Sequence, residues 1–496
     1  MELYVNSEKH LIDALDPGMT LLRYLRTVAK LKGTKEGCAS GDCGACTVLV
    51  ADGGQLLSVN SCIALLGSFA GKRIYTVDGL ANPGTGELHP VQKAMVDCHG
   101  SQCGFCTPGF VMSLAGLYEN NLEKGSVEGG AVFDAISGNL CRCTGYRPII
   151  EAAETMLSYE PKISLVADED DLSNGEEISG EGAAHHFDAS DPITETSDIS
   201  PEYYLPTSEQ ELQSLFTSDA EVFLVAGGTD KVLEISQNYS APARVIDVTR
   251  VEVLNAIDVT DTHIDIGAAV SYSELEKVFS ERSPEFIALL HRLGSRQIRN
   301  RGTLGGNIAN GSPIADTPPV LFVWQAEIEV VNSQGERRWV DVNEFYIGYR
   351  ETVLEPDAYI ARIRINKQEW ERPHRFYKVS KRFEDDISAV MGAFVVEQDD
   401  GICTNLRAAY GGMAATPVRA SKTEAFLIGK EINSANLEQA CAILQQEFKP
   451  LSDVRASAAY RSAMAVNLFR KAVSDLGDLS VSLPKSAVEL GGASHA

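Results

Sequence analysis

The stretch GTKEGCASGDCGACTVLV, residues 33–50, carries three cysteines within nine residues, separated by glycines. With one more cysteine downstream they form the spacing C-x4-C-x2-C-x15-C, made by Cys38, Cys43, Cys46 and Cys62. An x4 and x2 spacing followed by a distant fourth cysteine is typical of a plant-type 2Fe–2S cluster. Gly41 and Gly44 would let the backbone approach such a cluster and aim N–H groups at its sulfurs. Zinc is the alternative, but zinc loops favour two C-x2–4-C pairs, which this stretch does not have.

A second set of cysteines lies in SQCGFCTPGF and NLCRCTGYRP, with the spacing C-x2-C-x34-C-x1-C: Cys103, Cys106, Cys141 and Cys143. A C-x1-C pair is awkward for a tetrahedral zinc ion, whereas two paired loops can hold a diamond-shaped cluster. The spacing alone leaves zinc open, and the neighbouring first set favours a second 2Fe–2S cluster. Two clusters without an evident substrate site beside either indicate an electron relay.

Composition limits the classes of protein that are possible. The 496 residues suggest about three domains, and 44% hydrophobic residues can form substantial cores. The net charge of −26 argues against a nucleic-acid partner. No apolar run is long enough to span a membrane and the N-terminus does not resemble a secretory signal, so a cytoplasmic protein is expected. In that compartment clustered thiols are metal ligands rather than disulfides, and the scattered remainder are expected to be buried free thiols: Cys98, Cys403 and Cys441.

Local patterns predict the elements around the cysteines. TLLRYLRTVAKL predicts a helix capped by Thr20, and CTVLVADGGQLLSVNSC predicts a hairpin that turns at Asp52-Gly53. Four helices are predicted between residues 83 and 160, one capped by Ser126 and three with a proline in the first turn, namely Pro90, Pro108 and Pro148. The later cysteine pairs precede the second and fourth of these helices, so their loops should meet at one end of a pseudo-twofold bundle.

Residues 161–200 differ from the rest of the chain. They are acidic, rich in Ser and Gly and poor in large apolar residues, which predicts a linker. A specific acidic docking site is the alternative. His185 and His186 fall in this segment and are expected to be solvated rather than to bind metal.

Two glycine-rich loops follow in a region where strands and helices alternate. LVAGGTD, residues 224–230, reads as a turn between a strand and a helix, and RGTLGGNIANGSPIAD, residues 301–316, offers many N–H groups to a pyrophosphate. Neither loop has the spacing G-x-G-x-x-G, so a Rossmann fold is not supported. Plain turn chemistry is the alternative for each loop. Beside two iron–sulfur sites a dinucleotide is favoured, and a flavin can exchange electrons both with clusters and with a nicotinamide.

Taken together, the two cysteine sets and the segments CGFCTPGF, CRCTGYRPI, AGGTD, QIRNRGTLGGNIANGSPIADTPPVL, GYRET and KRFEDDIS resemble the iron–sulfur/flavin part of the xanthine dehydrogenase family of molybdenum hydroxylases. The resemblance extends over nearly the whole chain, except the acidic linker and the tail after about residue 480. No single motif among them would be specific; the combination is.

The resemblance implies a multidomain α+β fold. Its parts are a plant-type ferredoxin β-grasp domain (1–82), a four-helix 2Fe–2S domain (83–160), the acidic linker (161–200), an α/β FAD-binding domain of the vanillyl-alcohol-oxidase-like type (201–368), a C-terminal α/β domain of the CO-dehydrogenase-flavoprotein type (369–482) and a tail (483–496).

The resemblance also implies roles for residues. The first cysteine set matches the cluster nearer the flavin, and the second matches the cluster nearer the molybdenum. Tyr349 and Asp385 match positions near the nicotinamide, and no catalytic residue is otherwise expected on this chain. The residues that match FAD-contacting positions are Leu224, Val225, Ala226, Gly227, Gly228, Thr229, Asp230, Leu293, Thr303, Leu304, Gly305, Gly306, Asn307, Asp316, Ile360 and Lys378.

Since the chain ends at Ala496, with no room for a molybdopterin domain, it resembles the small iron–sulfur/FAD subunit of the two-chain bacterial xanthine dehydrogenases. The implied partner is a large molybdopterin-binding subunit, in a heterotetramer of two small and two large chains, with hypoxanthine or xanthine as substrate and NAD as acceptor. Oxygen as acceptor stays open. The alternatives are the same relay for aldehydes, CO or N-heterocycles and, more remotely, a zinc-stabilised binding protein.

Overall fold

A computed structural model of the protein describes residues 1–82, 84–127, 129–160, 164–165, 185–189, 202–216 and 222–477. The chain divides into two compact units. The first consists of Met1–Ala256, Ala268–Lys277 and Gly294–Gly306, and the second of Ile257–Gly267, Val278–Leu293 and Asn307–Ala496.

The first unit begins with a six-stranded mixed sheet in the order β4-β3-β5-β1-β2-β6. Strand β5 is parallel to β1 and β6 is parallel to β2, while the other neighbours are antiparallel. A central parallel pair flanked by hairpins fits the predicted β-grasp domain. The strands are β1 Glu2–Val5, β2 Glu8–Leu15, β3 Thr47–Asp52, β4 Gln55–Asn60, β5 Arg73–Tyr75 and β6 His185–Ala189.

Two local predictions in this sheet need small corrections. Asp52 pairs with Gln55, so the hairpin turns at Gly53 and Gly54, one residue later than predicted, where both φ angles are positive (56° and 78°). The helix after Thr20 is capped as predicted, because the Thr20 hydroxyl accepts a hydrogen bond from the amide of Arg23. It is short: α1 Leu21–Arg23 continues as a π-helix over Tyr24–Val28.

Four helices follow, as predicted, and they share one hydrophobic core with the sheet. Leu49 of β3 packs in the same core cluster as Phe110 and Leu114. The prolines of the first, second and fourth of these helices occupy first turns as predicted. The third helix begins at Gly129, so Ser126 does not cap it. The helices are α2 Pro90–Asp97, α3 Thr107–Glu119, α4 Gly129–Ile136 and α5 Arg147–Thr155.

Part of the predicted linker is a strand. Residues 185–189 form β6 on the edge of the first sheet, which corrects the prediction of a linker at these positions. His185 and His186 are exposed, and the His186 Nδ1 atom lies 3.2 Å from the Asp13 carboxylate. The other linker residues, apart from Ser164 and Leu165, lie outside the described residues, and so does the predicted tail.

A small parallel sheet, in the order β7-β9-β8, completes the strands of the first unit: β7 Glu202–Tyr204, β8 Phe223–Val225 and β9 Arg244–Asp247. Parallel strands joined by helical connections are the α/β pattern that the sequence predicts here. The helices of this stretch of chain are α6 Glu209–Leu215, α7 Leu233–Ser236, α8 Glu252–Asn255, α9 Tyr272–Phe279, α10 Pro284–Leu293, α11 Arg296–Arg299 and α12 Leu304–Ala309.

The second unit contains antiparallel sheets. One has the order β10-β11-β16-β12-β13, another β17-β18-β19-β20, and β14 and β15 form a hairpin. The strands are β10 Ile257–Val259, β11 His263–Gly267, β12 Glu327–Asn332, β13 Arg337–Asp341, β14 Tyr346–Gly348, β15 Glu351–Thr352, β16 Ala358–Asn366, β17 His374–Val379, β18 Val390–Asp399, β19 Ile402–Gly411 and β20 Val418–Arg419.

The helices of the second unit cover these sheets. Trp324 is fully buried between the rings of Phe279 and Phe286, and Phe394 and Phe469 lie in the core of the last sheet. The remaining helices are α13 Thr317–Val323, α14 Val342–Phe345, α15 Lys367–Trp370, α16 Ser421–Leu427, α17 Ser434–Glu447 and α18 Ala458–Leu476. In the part of the chain that the structure describes, no helix has both the length and the apolar surface needed to cross a bilayer.

Candidate cofactor-binding site

The four cysteines of the first set converge. The thiol of Cys38 lies close to those of Cys43 and Cys62, and the thiol of Cys46 lies close to that of Cys62. Cys46 and Cys62 are buried and the other two are half-buried. The loop between α1 and β3 therefore brings together the thiols that the spacing predicts as one ligand set, with Cys62 added from the end of β4.

Glycines shape this loop. Gly41 and Gly44 have φ angles of 84° and 67°, which L side chains rarely adopt. A Cβ atom on Gly37 would lie 2.7 Å from the Cys43 sulfur. The amide of Ser40 donates to the Cys38 sulfur at 3.4 Å, so the loop already turns N–H groups toward its thiols.

The second set also comes together, from the loops before α3 and α5. Cys103 contacts Cys143, and Cys106 contacts Cys141. The predicted meeting of the two loops is therefore observed. Burial raises the pKa of the Cys106 thiol to about 12, so this group stays protonated at neutral pH until a metal ion displaces the proton.

The donor chemistry of both sets fits a 2Fe–2S cluster. Among the residues that the structure describes, no three or more His, Cys, Asp or Glu side chains surround a single metal-ion position. The four thiols of each set instead lie close to one another, and a two-iron cluster is held by four cysteine thiolates. Outside both sets, Cys403 and Cys441 are buried as predicted, and burial raises the pKa of each thiol to about 11. Cys98 is only half-buried, which corrects the prediction of a buried thiol there, and it contacts Thr155.

The two cysteine loops touch each other. The amide of Leu140 donates to the carbonyl oxygen of Cys43 at 3.0 Å, and the Asn139 side chain donates to the carbonyl of Gly44 at 3.1 Å. A Cβ atom on Gly44 would lie 2.3 Å from the carbonyl oxygen of Gly138. The sequence analysis missed Asn139, since nothing in the local pattern distinguishes it from any other loop asparagine.

The structure brings the two predicted flavin loops together as well. A Cβ atom on Gly227 would lie 1.6 Å from the carbonyl oxygen of Arg301, and the Arg301 Nε atom donates to the Gly227 carbonyl at 3.2 Å. A Cβ atom on Gly305 would lie 2.5 Å from the Ala268 side chain. Each glycine thus lets its loop approach a neighbouring stretch of backbone at a distance that no side chain would allow. The predicted residues in these loops and in the first unit are Leu224, Val225, Ala226, Gly227, Gly228, Thr229, Asp230, Thr303, Leu304, Gly305 and Gly306.

The other predicted flavin residues belong to the second unit. Asp316 and Lys378 form a buried ion pair with 2.7 Å between carboxylate and ammonium. Asn307 accepts a hydrogen bond from the Thr317 hydroxyl at 2.6 Å. Ile360 is buried in β16 opposite a β-bulge, and Leu293 is half-buried at the end of α10.

The two residues predicted near the nicotinamide lie in loops of the second unit. Tyr349 is 63% exposed at the tip of the β14–β15 hairpin. Asp385 has a φ of 48°, and its carbonyl accepts from the Arg382 guanidinium at 3.0 Å. Arg292 joins this loop to β17, because its guanidinium donates to the carbonyl of Phe383 in the loop and to that of Lys378 in the strand. The sequence analysis did not identify this contribution.

Comparison with known families assigns a domain to each of these regions. The model of the 2Fe-2S iron-sulfur cluster binding domain matches residues 3–65, and a second 2Fe-2S binding domain matches 76–154. The FAD binding domain in molybdopterin dehydrogenase matches 196–367, and the CO dehydrogenase flavoprotein C-terminal domain matches 375–476.

Individual relatives agree. The xanthine dehydrogenase of Emericella nidulans is 34% identical over 537 residues, covering 96% of this chain and 38% of that protein. The xanthine dehydrogenase of Drosophila subobscura is 34% identical over 525 residues, covering 95% and 38%. The chain thus spans well under half the length of these relatives. The carbon monoxide dehydrogenase structure from Hydrogenophaga pseudoflava has a TM-score of 0.52 and 27% identity, over 55% of this chain and 96% of that one.

Two 2Fe–2S domains followed by an FAD domain define an iron–sulfur flavoprotein module of the oxidoreductases. The chain belongs to the xanthine dehydrogenase family of molybdenum hydroxylases, and the predicted multidomain α+β fold is confirmed.

Proposed function

We propose that this chain is the electron-transfer part of a xanthine dehydrogenase, in which two 2Fe–2S clusters and FAD carry electrons to NAD from a molybdopterin partner that oxidises hypoxanthine or xanthine to urate. The partner is a large molybdopterin-binding subunit, in a heterotetramer of two small and two large chains. A cytoplasmic location goes with this proposal, because free thiols persist there.

One observation carries the proposal: the first cysteine loop contacts both the second cysteine loop and the first flavin loop. On one side, Leu140 donates to the carbonyl of Cys43. On the other side, a Cβ atom on Gly228 would lie 3.2 Å from the carbonyl oxygen of Ile63, the neighbour of Cys62. The order from second set to first set to flavin loop is the order that a relay requires.

The chain's own residues hold the cofactors and orient them. In this proposal the first cluster is held by Cys38, Cys43, Cys46 and Cys62, and the second by Cys103, Cys106, Cys141 and Cys143. The flavin residues are those predicted from the resemblance, and Tyr349 and Asp385 lie on the nicotinamide side. The bound groups supply one-electron transfer and, at the flavin, hydride exchange with a nicotinamide.

Two findings support a purine as the substrate of the partner. The xanthine dehydrogenases of Emericella nidulans and Drosophila subobscura match 96% and 95% of this chain within one polypeptide. The carbon monoxide dehydrogenase chain matches 55% of it, and that match takes up 96% of the carbon monoxide dehydrogenase chain. The same relay for CO, aldehydes or N-heterocycles is the second candidate, which the structural likeness favours.

The isolated chain tests the relay. We expect about four irons and one FAD per chain, visible cluster absorption, NADH-dependent reduction of a dye, and no oxidation of purines. Purine turnover by the chain alone, or zinc in place of iron, would contradict the proposal. Addition of the partner, with hypoxanthine, CO or an aldehyde in parallel, then decides which substrate bleaches the clusters, and NAD reduction against oxygen uptake decides the acceptor.

A matched pair of cysteine variants tests the ligands. Cys43→Ser should lower the iron content from about four to about two per chain, because one cluster loses a thiolate. Cys403→Ala removes a buried thiol outside both sets and should leave the iron content unchanged. Equal iron in both variants would exclude Cys43 as a ligand.

A further inference from the structure

A buried glutamine outside both cysteine loops reaches the first of them. Gln297, in α11, is 1% exposed. Its Nε2 atom lies within hydrogen-bonding distance of three side-chain oxygens: Asn139 Oδ1 at 3.0 Å, Ser113 Oγ at 3.1 Å and Thr47 Oγ1 at 3.3 Å. These partners come from β3, from α3 and from the loop that precedes Cys141, so one amide group ties together three separate pieces of the first unit.

Two of those partners act on the same carbonyl group. The carbonyl oxygen of Gly44 accepts from the Thr47 hydroxyl at 2.7 Å and from the Asn139 Nδ2 atom at 3.1 Å. Gln297 donates to the acceptor atoms of both side chains. The Thr47 hydroxyl hydrogen and the Asn139 NH2 group are therefore left to face Gly44.

The orientation of that carbonyl also sets the direction of an amide. The Gly44 C=O group and the Ala45 N–H group belong to one planar trans peptide and point in opposite directions. The Ala45 N–H group faces the Cys43 sulfur closely enough to favour the thiolate and to lower the pKa of that thiol, against the larger effects that raise it. Donors that hold the Gly44 carbonyl on one side thus keep the Ala45 amide aimed at the thiol on the other side.

We propose that Gln297 is a positioning residue for the first cluster: through Thr47 and Asn139 it holds the Gly44–Ala45 peptide with its N–H on the Cys43 sulfur, and this raises the reduction potential of that cluster. The inference rests on the proposed function, because it takes the first cysteine set to hold a 2Fe–2S cluster. Hydrogen bonds to cluster sulfurs favour the more negative, reduced state, which is why they raise the potential.

The test is a redox titration of the full chain, followed by EPR, with Gln297→Met, which keeps the volume and removes the donors. The signal of the first cluster is identified as the one that Cys43→Ser abolishes. In Gln297→Met we expect the midpoint potential of that cluster to fall and its g-values to shift, while the second cluster is unchanged. Iron content stays at about four per chain, as in the wild type.

Asn300→Leu is the matched control. Asn300 directly follows α11 and its side chain also bonds across to the sheet, at the Ser58 carbonyl 2.9 Å away, but away from the cysteine loop. In Asn300→Leu the midpoint potential of the first cluster should equal that of the wild type. An unchanged potential in Gln297→Met, or equal shifts in both variants, would overturn the inference.

Thr47→Val keeps the inference testable if Gln297→Met does not fold. It removes one side-chain donor to the Gly44 carbonyl and should lower the same potential, whereas no change would count against the inference. A wild-type chain that holds no iron would refute the proposed function instead, so the two failures are distinguishable.

Discussion

Gly44 is the residue at which the two cysteine loops come closest. Its φ of 67° is unfavourable for any L side chain, and a Cβ atom there would lie 2.3 Å from the Gly138 carbonyl oxygen and 2.5 Å from the Asn139 amide. Gly138 and Asn139 belong to the loop that carries Cys141 of the second cysteine set. Any residue other than glycine would therefore be excluded from this position by steric clash as well as by its φ angle.

We predict that Gly44→Ala abolishes the first cluster, because the loop has to move away from Gly138 and its thiols then lose their common position. Iron per chain should fall by about half, measured together with visible absorption. Gly53→Ala is the control: its φ of 56° is equally strained, but no atom lies within 4 Å of the new Cβ. Loss of iron in both variants would attribute the effect to backbone strain alone.

At the level of secondary-structure elements, a charge network around the buried Arg299 side chain joins three helices. Arg296 and Arg299 of α11 both bond to Asp134 of α4 and to Glu276 of α9, and Arg299 has no exposed side-chain surface. Burial alone would raise the pKa of Asp134, but the charges of Arg296 and Arg299 outweigh it and hold the pKa below its usual range. The network is thus worth most when Asp134 is ionised.

We predict that Asp134→Asn destabilises the protein by about 2 kcal/mol at neutral pH. An aspartate with a lowered folded-state pKa contributes fully above its unfolded pKa of about 3.9, and that contribution disappears as the pH falls through the folded value. The difference between wild type and variant in the free energy of unfolding, measured with urea, should therefore be constant from about pH 5 to 8 and should shrink toward pH 3.

The exposed pair of Glu438 with Arg470 provides the control for this network. Glu438→Gln should change stability by less than about 0.5 kcal/mol, because water screens exposed ion pairs. A gap for Asp134→Asn that persists at pH 3 would show that its effect comes from packing and not from charge.

At the scale of the whole molecule, the contact between the flavin loops offers a way to remove FAD while both iron–sulfur clusters stay in place. A Cβ atom on Gly227 would lie 1.6 Å from the Arg301 carbonyl, so the alanine variant has to push the loops apart. We predict that Gly227→Ala weakens FAD binding at least about 10-fold, equivalent to 1.4 kcal/mol, with the iron content unchanged. NADH should then no longer bleach the cluster absorption, whereas dithionite still does.

Gly401→Ala, in a turn with no atom within 4 Å of the added Cβ, serves as the comparison. It should retain flavin and NADH-dependent bleaching. If Gly227→Ala kept its flavin, the loop at residues 224–230 would not be part of the flavin site.

The sequence predicts those parts of the molecule that short-range patterns encode. The cysteine spacings, the hairpin of β3 and β4 and the four helices before residue 160 each depend on residues near one another in the chain. Gln297 could not be found in this way, since its partner Thr47 lies 250 residues away and a lone glutamine carries no local pattern. The domain boundaries and the flavin residues stay predictions.

Strand β6 is a second feature that local sequence patterns do not predict. Its sequence lies in an acidic, glycine-rich segment whose composition predicts a linker, yet residues 185–189 pair with β2. Pairing with a preformed edge overrides composition, because the backbone groups of β2 supply hydrogen bonds to any strand that can lie beside them.

The placement of β6 affects how readily the edge of this sheet can pair with strands of other molecules. A bare β2 would present a row of unsatisfied amide and carbonyl groups, the template on which chains of different molecules pair and aggregate. The strand at residues 185–189 occupies that row, so the edge of the sheet is the five-residue β6 and not the eight-residue β2, and a shorter edge offers other chains less backbone to pair with.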